Sequence, residues 1–61
     1  MAYEVTELTS PTSRRVVGVG ETLEEAKALI SISFIEEDED NPGCFDVFGK
    51  FGQIYAIERR A

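Results

Sequence analysis

The chain has no histidine, no tryptophan and a single cysteine, Cys44, among its 61 residues. One cysteine rules out an intramolecular disulfide, and the missing histidines exclude a structural zinc site built from His and Cys ligands. The same shortage removes the usual partners of nucleophilic catalysis. Cys44 has no imidazole to deprotonate it, and Ser31 and Ser33 sit in an apolar stretch without a base. Cations are scarce as well: six Lys and Arg stand against twelve Asp and Glu, for a net charge of −6. They come as Arg14-Arg15, Lys27, Lys50 and Arg59-Arg60, too scattered for the clustered positive charge that nucleic acid or an anionic membrane requires. A basic partner is the better electrostatic match. No apolar run is long enough to span a membrane or to act as a signal, and Ala2-Tyr3-Glu4-Val5 after Met1 holds no basic segment. A lone thiol fits a reducing compartment, so the expected location is cytoplasmic. The chain reads as a complete small protein of one domain, residues 1–61.

Its size sets a second constraint. A domain this short buries only about 60% of the surface that its unfolded chain exposes, so its core is marginal without help. With disulfide and zinc excluded, association with another chain is the remaining route to extra stability. The hydrophobic fraction of 43% is that of a folded domain rather than a disordered one.

"AYEVTEL" (Ala2 to Leu8) alternates apolar and polar residues as a strand does, "TSPTS" (Thr9 to Ser13) carries turn chemistry, and "RRVVGVG" (Arg14 to Gly20) is a second β-rich run. Together they predict a hairpin. "ETLEEAKALISISFIEE" then opens with a helix start. Thr22 caps the first turn, and Glu25 reaches back three residues to the cap's own amide. At 3.6 residues per turn Leu23, Ala26, Ile30 and Phe34 share a face, which predicts a helix from Leu23 to about Ile35. The β-branched "ISISFI" stretch also alternates like a strand. "CFDVFGKFGQIYAIERR" predicts a second hairpin turning at Gly49-Lys50, with Phe48 opposite Phe51, Asp46 opposite Gln53 and Phe45 opposite Ile54. The predicted fold is α+β: a ββαββ domain whose four-stranded antiparallel sheet carries one helix on one face. Its core is Leu23, Ala26, Ile30, Phe34, Phe45, Val47 and Ile54.

Motif chemistry is thin. A calcium loop starting at Asp38 fails at Pro42 and at Gly49, where the bidentate Glu belongs. Gly18-x-Gly20 lies between strand and helix, but Leu23 stands where a third glycine is needed, and Glu21, Glu24 and Glu25 crowd the place of an anion. Cofactors and metals are therefore not expected, and the chain reads as a non-enzyme.

Two surfaces remain. One is apolar: Ile32 and Ile35 on the back of the helix, and Phe48, Phe51 and Tyr55 on the open sheet face, exceed what one small core needs and suggest a homodimer or a partner contact. The other is acidic. Glu21, Glu24 and Glu25 begin the helix, and Glu36, Glu37, Asp38, Glu39 and Asp40 follow its end, about 18–20 Å away. Acids at a helix C-terminus oppose its dipole, so this second group needs a reason other than helix stability. In size, compact α/β layout and the "EEDED" run, the chain resembles the small acidic inhibitor proteins of phages and mobile elements, the anti-CRISPR proteins in particular. The resemblance implies a DNA mimic that blocks a basic protein partner, such as a CRISPR effector or another nucleic-acid-binding protein. The alternative is a small homodimeric interaction module without mimicry.

Overall fold

The structure is a computed structural model that describes residues 2–60. Its elements are β1 (Ala2–Ser10), β2 (Ser13–Gly20), α1 (Leu23–Lys27), β3 (Ile32–Glu37), β4 (Cys44–Gly49) and β5 (Ile54–Arg60). The five strands form one antiparallel sheet in the order β2-β1-β5-β4-β3, which puts the last strand of the chain at its centre. This corrects the expected four-stranded ββαββ sheet under a long helix. The helix has five residues, and the segment expected to form its second half is an edge strand.

The first hairpin forms over the expected residues. Ser10 lies opposite Ser13 across Pro11-Thr12, and a bulge at Val17 interrupts the pairing of β2 with β1. Thr22 caps α1, its hydroxyl accepting the Glu25 N–H at 3.1 Å. The Glu25 carboxylate accepts the N–H of Glu21 at 2.9 Å, one residue earlier than a reciprocal capping box requires. After Lys27 the turn tightens, with the Leu29 and Ile30 N–H groups donating to the carbonyls of Ala26 and Lys27 at 3.1 and 3.3 Å. The β-branched residues beyond it are poor helix formers, and pairing with β4 satisfies the backbone groups along one side of the segment. The segment therefore forms a strand, but a bulge at Ser33 breaks its alternation, so Ile32 and Ile35 face the core and Phe34 turns to the open face.

Helix α1 folds back onto β1 and β2 because residue 20 is glycine. A Cβ there would stand 2.5 Å from the Ala26 nitrogen. Val5, Ala26, Val47 and Ile57 are fully buried on this covered side, with Tyr3, Leu23, Ile30, Ile32, Ile35, Phe45 and Tyr55 packed around them. Five members of the expected core are thus in place: Leu23, Ala26, Ile30, Phe45 and Val47. The other two, Phe34 and Ile54, are 52% and 46% exposed on the opposite face.

The misplacement of Ile54 follows from the turn. Phe48 pairs with Ile54 and Asp46 with Ala56, so the expected partners are displaced by three residues. The connection runs from Gly49 to Gln53. The Gly49 N–H donates to the Gln53 carbonyl at 2.7 Å, and the Gln53 side chain accepts the Phe51 N–H at 3.2 Å. Gly52, not Gly49, takes the positive φ of 86°. An odd displacement exchanges the two faces of a strand. Tyr55, expected on the open face, and Ile57 with it consequently face the covered side, and Ile54 and Ala56 turn outward. No helix among the described residues is long and apolar enough to cross a membrane.

Candidate functional site

Strands β3 and β4 and their connection, residues Ile32–Gly49, form a hairpin at one edge of the sheet. It holds Glu36, Glu37, Asp38, Glu39, Asp40 and Asp46, six of the twelve acids, and none of the six bases. The remaining six acids are matched by all six bases, so the entire net charge of −6 belongs to this hairpin. Ion pairing repeats the division. Arg15 meets Glu7 at 2.6 Å, Arg60 meets Glu4 at 2.7 Å and Glu58 at 3.7 Å, and Lys27 meets Glu24 at 3.6 Å. Among the described residues, no ion pair reaches a carboxylate of the hairpin.

Within the hairpin the acids have different tasks. Asp38 organises the connection. Its carboxylate accepts the Asp40 N–H at 2.9 Å and the Asn41 side-chain amide at 3.1 Å, and its own N–H donates to the Cys44 carbonyl at 2.8 Å. The Asn41 amide, then the Asp40 N–H, hold the Asp38 carboxyl below the ordinary aspartate value of 3.8. The Glu37 carboxylate accepts the Gly43 N–H at 3.2 Å and so closes the other side of the loop. Glu36, Glu39, Asp40 and Asp46 are exposed, and their carboxylates have no hydrogen-bond or ion-pair partner among the described residues. Glu36 lies directly opposite Asp46 on the open face, a like-charge pairing that sheets disfavour.

The dipole conflict expected for Glu36 to Asp40 does not exist, because these residues end a strand and form a loop rather than follow a helix. Two of them, Glu37 and Asp38, are accounted for by the loop they hold. The charge of Glu36, Glu39, Asp40 and Asp46 is what local structure leaves unexplained. Asp46 escaped the sequence reading because its nearness to Glu36 depends on β3 being a strand.

Glu21, Glu24 and Glu25 do not join this group. They lie just before and on α1, which packs on β2 and β1, on the other side of the central strand from β4 and β3. The expected pair of acidic helix ends is instead a pair of sheet edges, with Arg59 and Arg60 of the central strand between them. Glu25 serves the helix start and Glu24 pairs with Lys27. At Arg60, the hydrogen bond and charge of Glu4, followed by the charge of Glu58, raise the guanidinium's pKa.

The apolar candidates separate in the same way. Phe48 lies on the open face and Phe51 sits 80% exposed in the β4–β5 turn. Ile32, Ile35 and Tyr55 are half-buried against the core on the covered side. The open face gains residues the sequence reading assigned to the core or overlooked: Phe34, Ile54, Val16 and Val19. Phe34 and Phe48 are cross-strand neighbours with ring centroids 6.1 Å apart.

A depression of about 330 Å³ opens on the covered side beyond α1, lined by Glu7, Arg15, Val17, Leu29, Phe51 and Tyr55 among others. Its charged wall is self-satisfied, because Arg15 already occupies Glu7. Cys44 is a half-buried free thiol on the open face, opposite Glu58. No group of three or more His, Cys, Asp or Glu among the described residues is placed to hold a metal ion. Comparisons with protein-family models, curated proteins and solved structures find no match to this chain.

Proposed function

We propose that the chain is a non-catalytic, cytoplasmic binding protein that presents the β3–β4 hairpin to a basic surface of a nucleic-acid-handling protein and occupies it. One observation carries this reading: the whole net charge of −6 is confined to eighteen consecutive residues at one sheet edge, Ile32–Gly49, without a base among them. Carboxylates scattered for solubility alone would be interspersed with the cations, as they are over the rest of the chain. A groove built for a phosphate backbone accepts successive negative charges on a narrow ridge, and an acidic hairpin has that form. Several of the small acidic inhibitors that the chain resembles in size and in its "EEDED" run occupy DNA-binding sites on their targets. The missing imidazole, and the want of a base beside Cys44, Ser31 or Ser33, support binding rather than catalysis.

Each exposed charge contributes little alone, so affinity rests on the group and falls with ionic strength. The test is capture from a host lysate on immobilised protein, followed by competition between this protein and nucleic acid for whatever is retained. The reading predicts a basic partner, released by salt and displaced by its own nucleic acid. A partner that binds protein and nucleic acid together, with no mutual exclusion, would end the blocking mechanism.

A further inference from the structure

The face of the sheet opposite α1 carries an apolar row that crosses every strand. Register places Arg14, Leu8, Ile54, Phe48 and Phe34 side by side, from β2 at one edge to β3 at the other. The adjacent row runs Val16, Thr6, Ala56, Asp46 and Glu36 in the same direction. Ile54 and Phe48 are each 46% exposed, Phe34 52% and Val16 57%, whereas Val5, Ala26, Val47 and Ile57 on the covered side are fully buried. Four large apolar side chains thus face solvent on one side of a sheet whose other side is packed. A sheet with one uncovered apolar face is half of a sandwich.

We infer that the occupant of this face is a second copy of the chain, packed face to face about a two-fold axis parallel to β5. The charge pattern selects that arrangement. The row has its cation, Arg14, at the β2 edge, and the neighbouring row has its acids, Glu36 and Asp46, at the β3 side. Rotation about the central strand reverses the order of strands while keeping each row at its height. Arg14 of each copy then lies over Phe34 of the other, beside Glu36, where cation–π attraction and charge pairing act together. Leu8 lies over Phe48, and Ile54 meets Ile54 at the axis. Glu36 and Asp46 of the two copies lie on opposite sides of the axis and do not meet. The carboxylate on the axis, Glu58, is bridged by its own Arg60 and lies about 13 Å along the strand from Ile54, at the rim of the contact. The contact face measures about 24 by 20 Å from strand spacing and rise, or roughly 480 Å² per copy, which is below the about 800 Å² per partner of a standard interface and fits a weak dimer formed at high micromolar concentration. Glu36 and Asp46 enter this contact, while both Asp38–Gly43 loops, with Glu39 and Asp40, remain free at one end of the dimer, and the inference does not depend on the proposed function.

The experiment is mass measurement by sedimentation equilibrium on the purified chain alone, from low to high micromolar concentration. The expected result is a concentration-dependent rise from 6.8 kDa to twice that mass. Phe48→Asp should hold the single-chain mass throughout, with its circular dichroism unchanged because Phe48 lies outside the core. Arg14→Glu should weaken dimerisation about tenfold, and the double variant Arg14→Glu/Glu36→Arg should recover it. A parent chain that keeps the single-chain mass at the highest concentration overturns the inference. A dimer that persists unchanged in Phe48→Asp overturns it too, since the contact would then lie elsewhere. A double variant as weak as Arg14→Glu rejects the proposed axis.

Discussion

Ile54 and Ile57 provide a sensitive test of the fold, because the register of β5 decides which of them is core. Ile57 is fully buried between Val5 on β1 and Phe45 on β4, its cross-strand neighbours on the covered side. Ile57→Ala removes three carbon groups, worth roughly 2.4 kcal/mol of transfer free energy at about 0.8 each. The central strand cannot close over the space left, and the cavity brings the expected loss to about 2–5 kcal/mol. For a domain of this length the total stability is about 3–9 kcal/mol, so the variant stands near the limit of folding. Ile54 is 46% exposed on the open face. Ile54→Ala leaves no cavity and forfeits about half of the transfer term, or roughly 1 kcal/mol. Urea titration followed by far-ultraviolet circular dichroism, at a concentration where the chain is single, measures both. A larger loss for Ile54→Ala than for Ile57→Ala would refute the register and restore the turn at Gly49-Lys50.

Other substitutions test other parts of the structure. Gly20→Ala should cost about 1–3 kcal/mol in the same titration, because the added Cβ meets the Ala26 nitrogen at 2.5 Å and pushes α1 off the sheet. Thr22→Ala should cost about 1 kcal/mol by removing the acceptor of the Glu25 N–H, and an unchanged midpoint would show that α1 needs no cap. Asp38 is held below its ordinary value, so its contribution to the β3–β4 loop is complete above pH 3.8 and is lost as pH falls through the lowered value. Faster amide exchange at Asp40 and Asn41 in Asp38→Ala at neutral pH, with loss of the same protection in the parent only in strong acid, is the expected pattern. Neutralising Glu36 to Asp40 together should therefore loosen the loop, because Asp38 is among them.

The parts of the fold that short-range sequence rules decide were legible. The β1–β2 hairpin and the cap at Thr22 follow from turn residues and capping chemistry, Leu23 and Ala26 from helical spacing, and Phe45 and Val47 from alternation, whereas Ile30 is inward although the helix that placed it there ends at Lys27. What was not legible depended on pairing between distant strands. Ile30 and Phe34 fit one helix face, Ile30, Ile32 and Phe34 together fit a strand, and the presence of β4 as a partner decided for the strand. With two glycines in "FGKFG", the turn used the second for its positive φ, and an odd register displacement sent Ile57 inward and Ile54 outward. The acidic run was visible as composition. Its concentration into one hairpin with Asp46 required knowing that Glu36 and Asp46 face each other across two strands.

Equal removals of charge at the two edges of the sheet address the proposed function directly. Glu39→Gln/Asp40→Asn removes two exposed charges at the hairpin tip, while Glu21→Gln/Glu24→Gln removes two at the β2 edge. Both variants have the same net charge, and neither touches Asp38, Glu37 or Glu25. Dissociation constants for the captured basic partner, measured for parent and both variants at low salt, should show several-fold weakening for the hairpin variant and near-parental affinity for the other. Equal weakening in both would show that the partner responds to net charge alone and would contradict the assignment of binding to the β3–β4 hairpin.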